Sequence, residues 1–180
     1  MKRRDFSLAA TSLGLLSLAA NPAHAQARAP KAGTEYLVLD KRVPVDAPAG
    51  KIEVVEFFSY NCPHCNDFEP ALEAWIKTVP KEVAFRRIPV PFVGNDVEAK
   101  QRLYYALEAM GKVNEMHTKV FDAIHKERVN LVVLPAMVDW IGKQGLDVAK
   151  FTDLYNSFAI SAKARRAVDL QNGYEVEGVP

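Results

Sequence analysis

The sequence predicts an α/β domain that carries a long helical insertion. Two short runs typical of β-strands, residues 52–58 and 83–88, enclose a segment with helical periodicity, which is the pattern of a parallel strand–helix–strand unit. From about residue 95 to residue 174 the pattern is helical, with only short breaks. With 180 residues and 49% hydrophobic content, the chain is long enough to bury one substantial core.

The first 25 residues have the composition of a cleavable signal peptide. A basic head, Lys2-Arg3-Arg4, precedes a moderately apolar stretch, and Ala23-His24-Ala25 is an A-x-A cleavage site. The apolar stretch is shorter than the roughly 20 residues that a membrane-spanning helix needs. We therefore expect cleavage near Gln26 and a domain that comprises residues 26–180.

Two export routes stay open for this signal. Arg3-Arg4-Asp5-Phe6 resembles the twin-arginine signal, although Lys2 stands where that signal prefers a small hydroxyl residue. A general secretory signal fits the same residues equally well. Because both routes lead out of a bacterial cytoplasm, we predict a periplasmic protein.

The charge of the mature chain gives no field that would attract nucleic acid. Removing residues 1–25 takes away three basic residues and one acidic residue, which leaves 20 basic and 21 acidic residues, a formal charge of −1. Nucleic-acid-binding domains usually carry a clear basic excess. We therefore expect no nucleic-acid partner.

The ordered part of the chain is predicted to begin with a short strand at residues 35–39, Glu-Tyr-Leu-Val-Leu. A loop that contains proline and glycine follows. The next run, residues 52–58, is apolar nearly throughout, as expected of a central strand that is covered on both faces. This strand leads directly to Cys62 and Cys65, the chain's two cysteines.

A helix is predicted to begin at the cysteine pair. Its acidic residues come early and its lysine late, as the helix dipole favours. Apolar residues recur at helical spacing at Phe68, Leu72, Trp75, Ile76 and Val79. Pro70 lies inside this helix and should kink it, and Pro80 should end it.

Three features of the remaining chain have structural interpretations. We interpret His117 and His125 as ordinary helical residues of the insertion, and Trp75 and Trp140 as core residues. The apolar loop at residues 89–93 fits either a substrate groove or buried packing, and the sequence does not decide between them.

The spacing of the cysteines favours redox chemistry over a stabilising disulfide. Two cysteines in an exported protein usually form a structural bridge. Closing a loop of about four residues, however, stabilises a fold by only roughly 2 kcal/mol, against roughly 4.7 kcal/mol for about 100 residues. A C-x-x-C pair that follows a strand and opens a helix is instead the arrangement for thiol–disulfide exchange.

The two cysteines should play different parts. Cys62 lies at the helix end with free N–H groups, where the dipole favours an anion, so its thiolate should be stabilised. Pro63 fixes the turn and His64 can supply positive charge or a hydrogen bond, so both should tune the pair. Cys65, one turn further on, should be less exposed and act as the resolving thiol.

Metal and haem sites fit the sequence poorly. A structural zinc site requires four ligands, and the chain has no second cysteine pair to supply them. His117 and His125 lack the i, i+4 spacing that puts two ligands on one helix face. Haem attachment needs a histidine directly after the second cysteine, where this chain has Asn66. We expect no metal and no cofactor other than the redox-active cysteine pair.

Residues 55–65, Val-Glu-Phe-Phe-Ser-Tyr-Asn-Cys-Pro-His-Cys, closely resemble the active-site segment of the DsbA family of periplasmic thiol oxidases. C-P-H-C is that family's typical motif, and Pro70 matches the kink proline of thioredoxin-fold active-site helices. The helical insertion before Gly178-Val179-Pro180 matches the family's layout. The resemblance covers nearly the whole mature chain and implies a thioredoxin-like fold with a helical insertion.

The resemblance implies a thiol:disulfide oxidoreductase that donates a disulfide to exported proteins while they fold. It also implies reoxidation by a quinone-linked membrane partner similar to DsbB, and we expect a monomer. Pro180 matches the family's cis-proline beside the active site. Val179 matches the preceding residue, whose backbone receives substrate in an extended form.

Glu56 is an acid within an otherwise apolar strand, so its burial needs a cause. One interpretation is a buried ion pair with Arg86 or Arg87 on the neighbouring strand. The other, which the resemblance favours because the family has a buried acid here, is a proton acceptor or field source for Cys65.

Alternatives of other classes stay open at this point. The chain could be a periplasmic reductase or isomerase of the same fold, or a redox-inactive binding or chaperone module. An isomerase of that type usually carries a dimerisation region, for which residues 26–33 are too short, and a pure binder would not need both cysteines.

The last residues, Gly178-Val179-Pro180, are of types that favour a turn, and such a turn usually leads into a further element. We therefore expect the sequence to be a fragment that ends after the cis-proline loop. An active-site strand without one of its neighbours exposes an apolar edge, so we also expect low stability of this fragment alone.

Overall fold

The computed structural model describes residues 28–94 and 96–180, so the predicted signal peptide, residues 1–25, lies outside the described residues. The described part folds as an α/β domain in which helices follow a strand–helix–strand unit, as predicted. The elements in chain order are β1 (Ile52–Phe58), α1 (Pro63–Ile76), β2 (Val83–Pro89), α2 (Val97–Ala109), α3 (Val113–His125), α4 (Leu134–Lys143), α5 (Val148–Asn156) and α6 (Phe158–Gly173).

Strands β1 and β2 pair in parallel, and α1 connects them. The register places Glu56 opposite Arg87 and Val55 opposite Arg86. Because successive side chains of a strand point to opposite faces, the two arginines lie on different faces of the sheet. Only Arg87 shares a face with Glu56.

The core lies where β1 and β2 meet the helices of the insertion. Helix α2 packs against α3, α5 and α6, and α3 packs against α1. The largest fully buried side chains include Phe58, Tyr60, Leu103, Met116, Phe121, Ile141 and Phe151. Trp140 is also buried, as predicted, with 5% of its surface exposed. None of the described helices is long and apolar enough to cross a membrane.

The predicted strand at residues 35–39 is wrong. This segment forms a local turn in which the Gly33 N–H donates to the Tyr36 carbonyl, and it belongs to neither strand of the sheet. Leu37 and Val38 are 77% and 72% exposed. A run with high β-propensity forms a strand only when a neighbouring strand supplies hydrogen bonds and a packing surface, and no described strand does so here.

The prediction of which residues of α1 are buried is also partly wrong. Phe68 and Trp75 are 44% and 41% exposed, so Trp75 is not a core residue. Leu72 is buried, as its spacing predicts, and the other buried residues of this helix are Cys65 and Glu69. An ion pair with Arg87 holds Glu69 inward, and this contact orients the helix in a way that its apolar residues alone do not reveal.

Candidate active site

The cysteine pair lies at the start of α1, at the carboxyl end of β1. Cys62 is the N-cap residue and Pro63 occupies the first turn of the helix. A backbone N–H at this position has no acceptor within the helix, so proline, which lacks the N–H, costs no hydrogen bond there. The Cys62 N–H donates to the Ser59 carbonyl at 3.0 Å, which closes the turn between strand and helix. Both cysteines are free thiols, 3% and 0% exposed, with Cys65 the more buried, as expected. Pro63 and His64 between them are exposed.

The last residues of the chain lie against Cys62. The Cys62 Sγ is 3.5 Å from the Val179 carbonyl oxygen, to which its S–H can donate. The Val179–Pro180 peptide bond is cis. The fold thus brings Val179 and Pro180, which are distant in sequence, to the more exposed of the two sulfurs.

The surroundings of Cys65 keep it protonated. Burial raises the pKa of the Cys65 thiol to about 12, and the hydrogen bond to Cys62 and the charge of Glu56 act in the same direction, while the Ser59 backbone opposes them. At neutral pH this sulfur is therefore a thiol. Cys62, at the helix N-terminus, is placed where an anion is favoured.

One arginine near the active site donates hydrogen bonds to three carboxylates. Arg87 Nε donates to Glu56 Oε2 at 3.0 Å, and its Nη2 donates to Glu69 Oε1 at 2.6 Å and to Glu73 Oε1 at 2.8 Å. The side chains of Arg87, Glu56 and Glu69 are buried, whereas that of Glu73 is 38% exposed. Of the two predicted partners of Glu56, the structure thus selects Arg87; Arg86 pairs with Asp46 and Glu53.

Glu56 has a proton affinity suited to neutral pH. Burial, opposed by Arg87 and assisted by the charges of Glu69 and Glu73, raises the pKa of Glu56 to about 7. Its Oε1 atom has no hydrogen-bond partner among the described residues. A carboxyl with one arginine donor and one free oxygen can bind or release a proton, and the charge of Glu56 acts on the Cys65 sulfur.

A family profile described as "DSBA-like thioredoxin domain" matches residues 53–180. The chain belongs to the DsbA family. The thiol:disulfide interchange protein DsbA of Burkholderia cepacia is 41% identical over 173 residues, which are 96% of this chain and 81% of that protein. The protein of the same name from Pseudomonas aeruginosa is 44% identical over 156 residues, 87% of this chain and 73% of that one.

Solved DsbA structures agree with this assignment. The crystal structure of Pseudomonas aeruginosa DsbA E82I superposes with a TM-score of 0.80 at 42% identity and covers 84% of this chain and 80% of that one. The predicted thioredoxin-like fold with its helical insertion is confirmed. As a member of the DsbA family, the chain is a thiol:disulfide oxidoreductase.

The loop at residues 89–93 of this DsbA-family chain packs against the turn before Cys62. Ser59 Oγ donates to the Phe92 carbonyl at 2.6 Å, and Asn61 Nδ2 donates to the Val93 carbonyl at 2.8 Å. Gly94 has a φ of +86°, and a Cβ there would lie 3.2 Å from Asn61 Nδ2. Of the two interpretations left open by the sequence, the hydrogen bonds agree with packing that supports the active-site turn.

An apolar groove of about 650 Å³ adjoins Pro180. Phe68 and Trp75 of α1 form one wall, and Phe57 and Phe85 of the sheet line it as well. Trp75 meets Phe85 edge to face, with ring centroids 6.0 Å apart. Trp75, which was misassigned to the core, and Phe68 therefore line a surface beside the active site of this DsbA-family protein.

Two histidines of α3 contact Tyr60 in the active-site turn, and the sequence did not predict these contacts. The Tyr60 hydroxyl lies 2.8 Å from His117 Nδ1, and His125 Nε2 lies 2.8 Å from the Tyr60 carbonyl oxygen. Both histidines lie in α3, as predicted, and each also contacts this turn. One signal was available: His117 falls at helical spacing with Val120 and Phe121, on the buried side of α3.

Three buried residues offer ligand atoms within 4.8 Å of one another: Glu56, Glu69 and His117. The guanidinium of Arg87 is hydrogen-bonded to both of these carboxylates, so the protein itself supplies a cation to the cluster. That there is no metal site stays a prediction.

Proposed function

We propose that this DsbA-family chain uses a Cys62–Cys65 disulfide to oxidise the thiols of exported proteins while they fold. The observation that supports the proposal most is the asymmetry of the pair. Cys62 lies at the helix N-terminus against the Val179 carbonyl, whereas Cys65 is fully buried and its pKa is raised, chiefly by burial, to about 12. Such a pair has one sulfur at the helix N-terminus, against the Val179 carbonyl, and a second sulfur that is fully buried.

The exchange proceeds in two balanced steps. A substrate thiolate attacks Cys62 Sγ, the Cys62–Cys65 bond breaks, and the electron pair goes to Cys65 Sγ, which takes up a proton. A second substrate thiolate then attacks the substrate sulfur of the mixed disulfide and releases Cys62 as a thiolate. The substrate loses two electrons and the cysteine pair gains them.

Glu56 supplies the proton that Cys65 needs. A sulfur whose pKa is about 12, chiefly because it is buried, leaves slowly as a thiolate at neutral pH. The Glu56 carboxyl, whose pKa burial raises to about 7, is partly protonated there. Glu56 is thus the proton donor in oxidation of substrate and the acceptor when the pair is reoxidised.

The remaining site residues bind substrate and tune the pair. Val179 and Pro180 present a backbone carbonyl beside Cys62, at which an extended polypeptide can add. Pro63 and His64 are exposed next to Cys62, where His64 can place positive charge near its sulfur.

The cellular setting is proposed from the predicted signal and from the relatives. Export through residues 1–25 would place residues 26–180 in the periplasm as a monomer, where exported polypeptides carry free thiols. A membrane quinone reductase similar to DsbB would reoxidise the pair, since donation of a disulfide leaves it reduced.

The equilibrium of the pair with glutathione tests this function. We expect millimolar glutathione, kept mostly in its reduced form as in the cytosol, to reduce the Cys62–Cys65 disulfide almost completely, because a strongly oxidising disulfide accepts electrons from glutathione. The fraction reduced can be followed by thiol alkylation and mass spectrometry. A pair that stays oxidised under these conditions would indicate a structural bridge or a reductase, and a pair that never forms a disulfide would indicate a binding module.

A further inference from the structure

Two histidines of α3 hold the same residue of the active-site turn. His125 Nε2 lies 2.8 Å from the Tyr60 backbone oxygen, and His117 Nδ1 lies 2.8 Å from the Tyr60 hydroxyl. Tyr60 precedes Cys62 by two residues and is 2% exposed. The second ring nitrogen of His117 faces the carboxylate cluster, so this histidine contacts both the turn and the cluster.

The partners of His117 determine where its proton lies. Its Nε2 is 3.4 Å from Glu69 Oε2, and neither atom makes a hydrogen bond to any described residue. A carboxylate can only accept, so the ring proton belongs on Nε2, and Nδ1 accepts from the Tyr60 hydroxyl. Burial lowers the pKa of His117, and Glu69 only partly opposes this, which agrees with a neutral ring that has one N–H.

The resulting contacts form one continuous chain. It runs from the Tyr60 hydroxyl through His117 to Glu69, and from there through Arg87 to Glu56. Its two buried carboxyls share one buried guanidinium, so the set is short of one positive charge when both are ionised. Glu69 has Arg87 at one oxygen and His117 Nε2 3.4 Å from the other, whereas Glu56 has Arg87 at one oxygen; Glu56 Oε1 and Glu69 Oε2 both lack a hydrogen bond to any described residue.

We propose that His117 is a positioning residue of the redox site, which keeps Glu69 ionised and thereby leaves the exchangeable proton of the carboxylate cluster on Glu56. The proposal deepens the proposed function and rests on it, because this proton is the one that Cys65 takes up when substrate is oxidised. The titratable and charged groups that face His117 are Glu69 and Glu73 on α1, Glu56 on β1, Arg87 on β2, Tyr60 in the turn and Tyr104 on α2.

Four variants separate the two contacts of His117 from a general loosening of the turn. His117→Asn can keep an acceptor near the Tyr60 hydroxyl but lacks the donor to Glu69, and His117→Leu lacks both. His117→Gln can place a donor near Glu69 without the contact to Tyr60. His125→Gln is the matched control, because it alters the same helix and the same turn but has no contact with the carboxylates.

The measurement is the titration of the Glu56 side-chain carboxyl carbon by NMR in the reduced protein, with Glu56→Gln to assign the signal. In His117→Asn and His117→Leu, Glu69 loses a donor and binds the proton more readily. Glu56, relieved of a neighbouring negative charge, should then ionise at a pH lower by roughly one unit. His117→Gln and His125→Gln should titrate as the wild type does.

Each outcome decides the proposal. Unchanged titration in His117→Asn and His117→Leu would overturn it, and so would an equal shift in His125→Gln, since loosening of Tyr60 would then explain the effect. If His117→Leu does not fold, the comparison of His117→Asn with His117→Gln still tests the proposal. If the titration of Glu56 shifts as predicted but the disulfide does not oxidise glutathione, the proposed function is contradicted and the role of His117 is not. The two failures are therefore distinguishable.

Discussion

The Cys62→Ser variant is expected to lose thiol–disulfide exchange completely, whereas the Cys65→Ser variant should become trapped on its partner. Cys62 lies at the helix N-terminus against Val179, and Cys65 is fully buried behind it. With Cys65 absent, the Cys62 thiolate still attacks glutathione disulfide and releases one glutathione, but no second thiol in the site resolves the mixed disulfide. Mass spectrometry under non-reducing conditions measures the adduct.

The two serine variants are controls for each other, because both remove one buried sulfur from the same helix turn. Comparable thermal stability of the two shows that the fold is intact in both. An adduct on Cys65 in the Cys62→Ser protein, formed as fast as the adduct on Cys62, would show that the assigned roles are reversed.

The Arg87→Met variant is expected to lose about 3–5 kcal/mol of unfolding free energy at pH 8, the usual result of removing one partner from a buried ion pair. Arg87 is the hydrogen-bond donor to Glu56, Glu69 and Glu73, and two of these carboxylates are buried. The loss should shrink as the pH falls through about 7 toward 4, because burial holds the folded pKa of Glu56 near 7 and protonated carboxyls no longer need a cation. Urea unfolding at pH 8 and at pH 5 measures both effects.

Arg86→Met is the matched control for this experiment. Arg86 is the adjacent residue of β2 and also contacts two carboxylates, Asp46 and Glu53, but its side chain is 28% exposed. Its replacement should lower the unfolding free energy by only about 1 kcal/mol. Equal losses in the two variants would contradict the assignment of the buried cluster to Arg87.

The local part of this fold was predictable from the sequence. β1 and the start of α1 follow from periodicity and from the position of the cysteines, which need no information about distant residues. The chain segment at residues 35–39 has equally strong β-propensity, yet it forms no strand. Propensity describes the fit of residues to a sheet, and the sheet has to be present.

The carboxylate cluster could be predicted only in part. The acid at position 56 signalled a buried partner, but the choice between Arg86 and Arg87 depends on the register of β1 on β2, and a shift of one residue reverses it. The burial of Glu69 could not be predicted, because its contact with Arg87 joins elements whose relative orientation the sequence does not contain. The two contacts of His117 are of the same long-range kind.

The relative thermal stability of the two redox forms tests most directly whether the Cys62–Cys65 disulfide is an oxidant rather than a stabilising bridge. Folding and oxidation form a thermodynamic cycle, so a disulfide that is more oxidising in the folded than in the unfolded chain must destabilise the fold. We predict that the reduced protein melts at a higher temperature than the oxidised protein at pH 7. An oxidised form that melts at the same or a higher temperature would contradict an oxidising role for the disulfide.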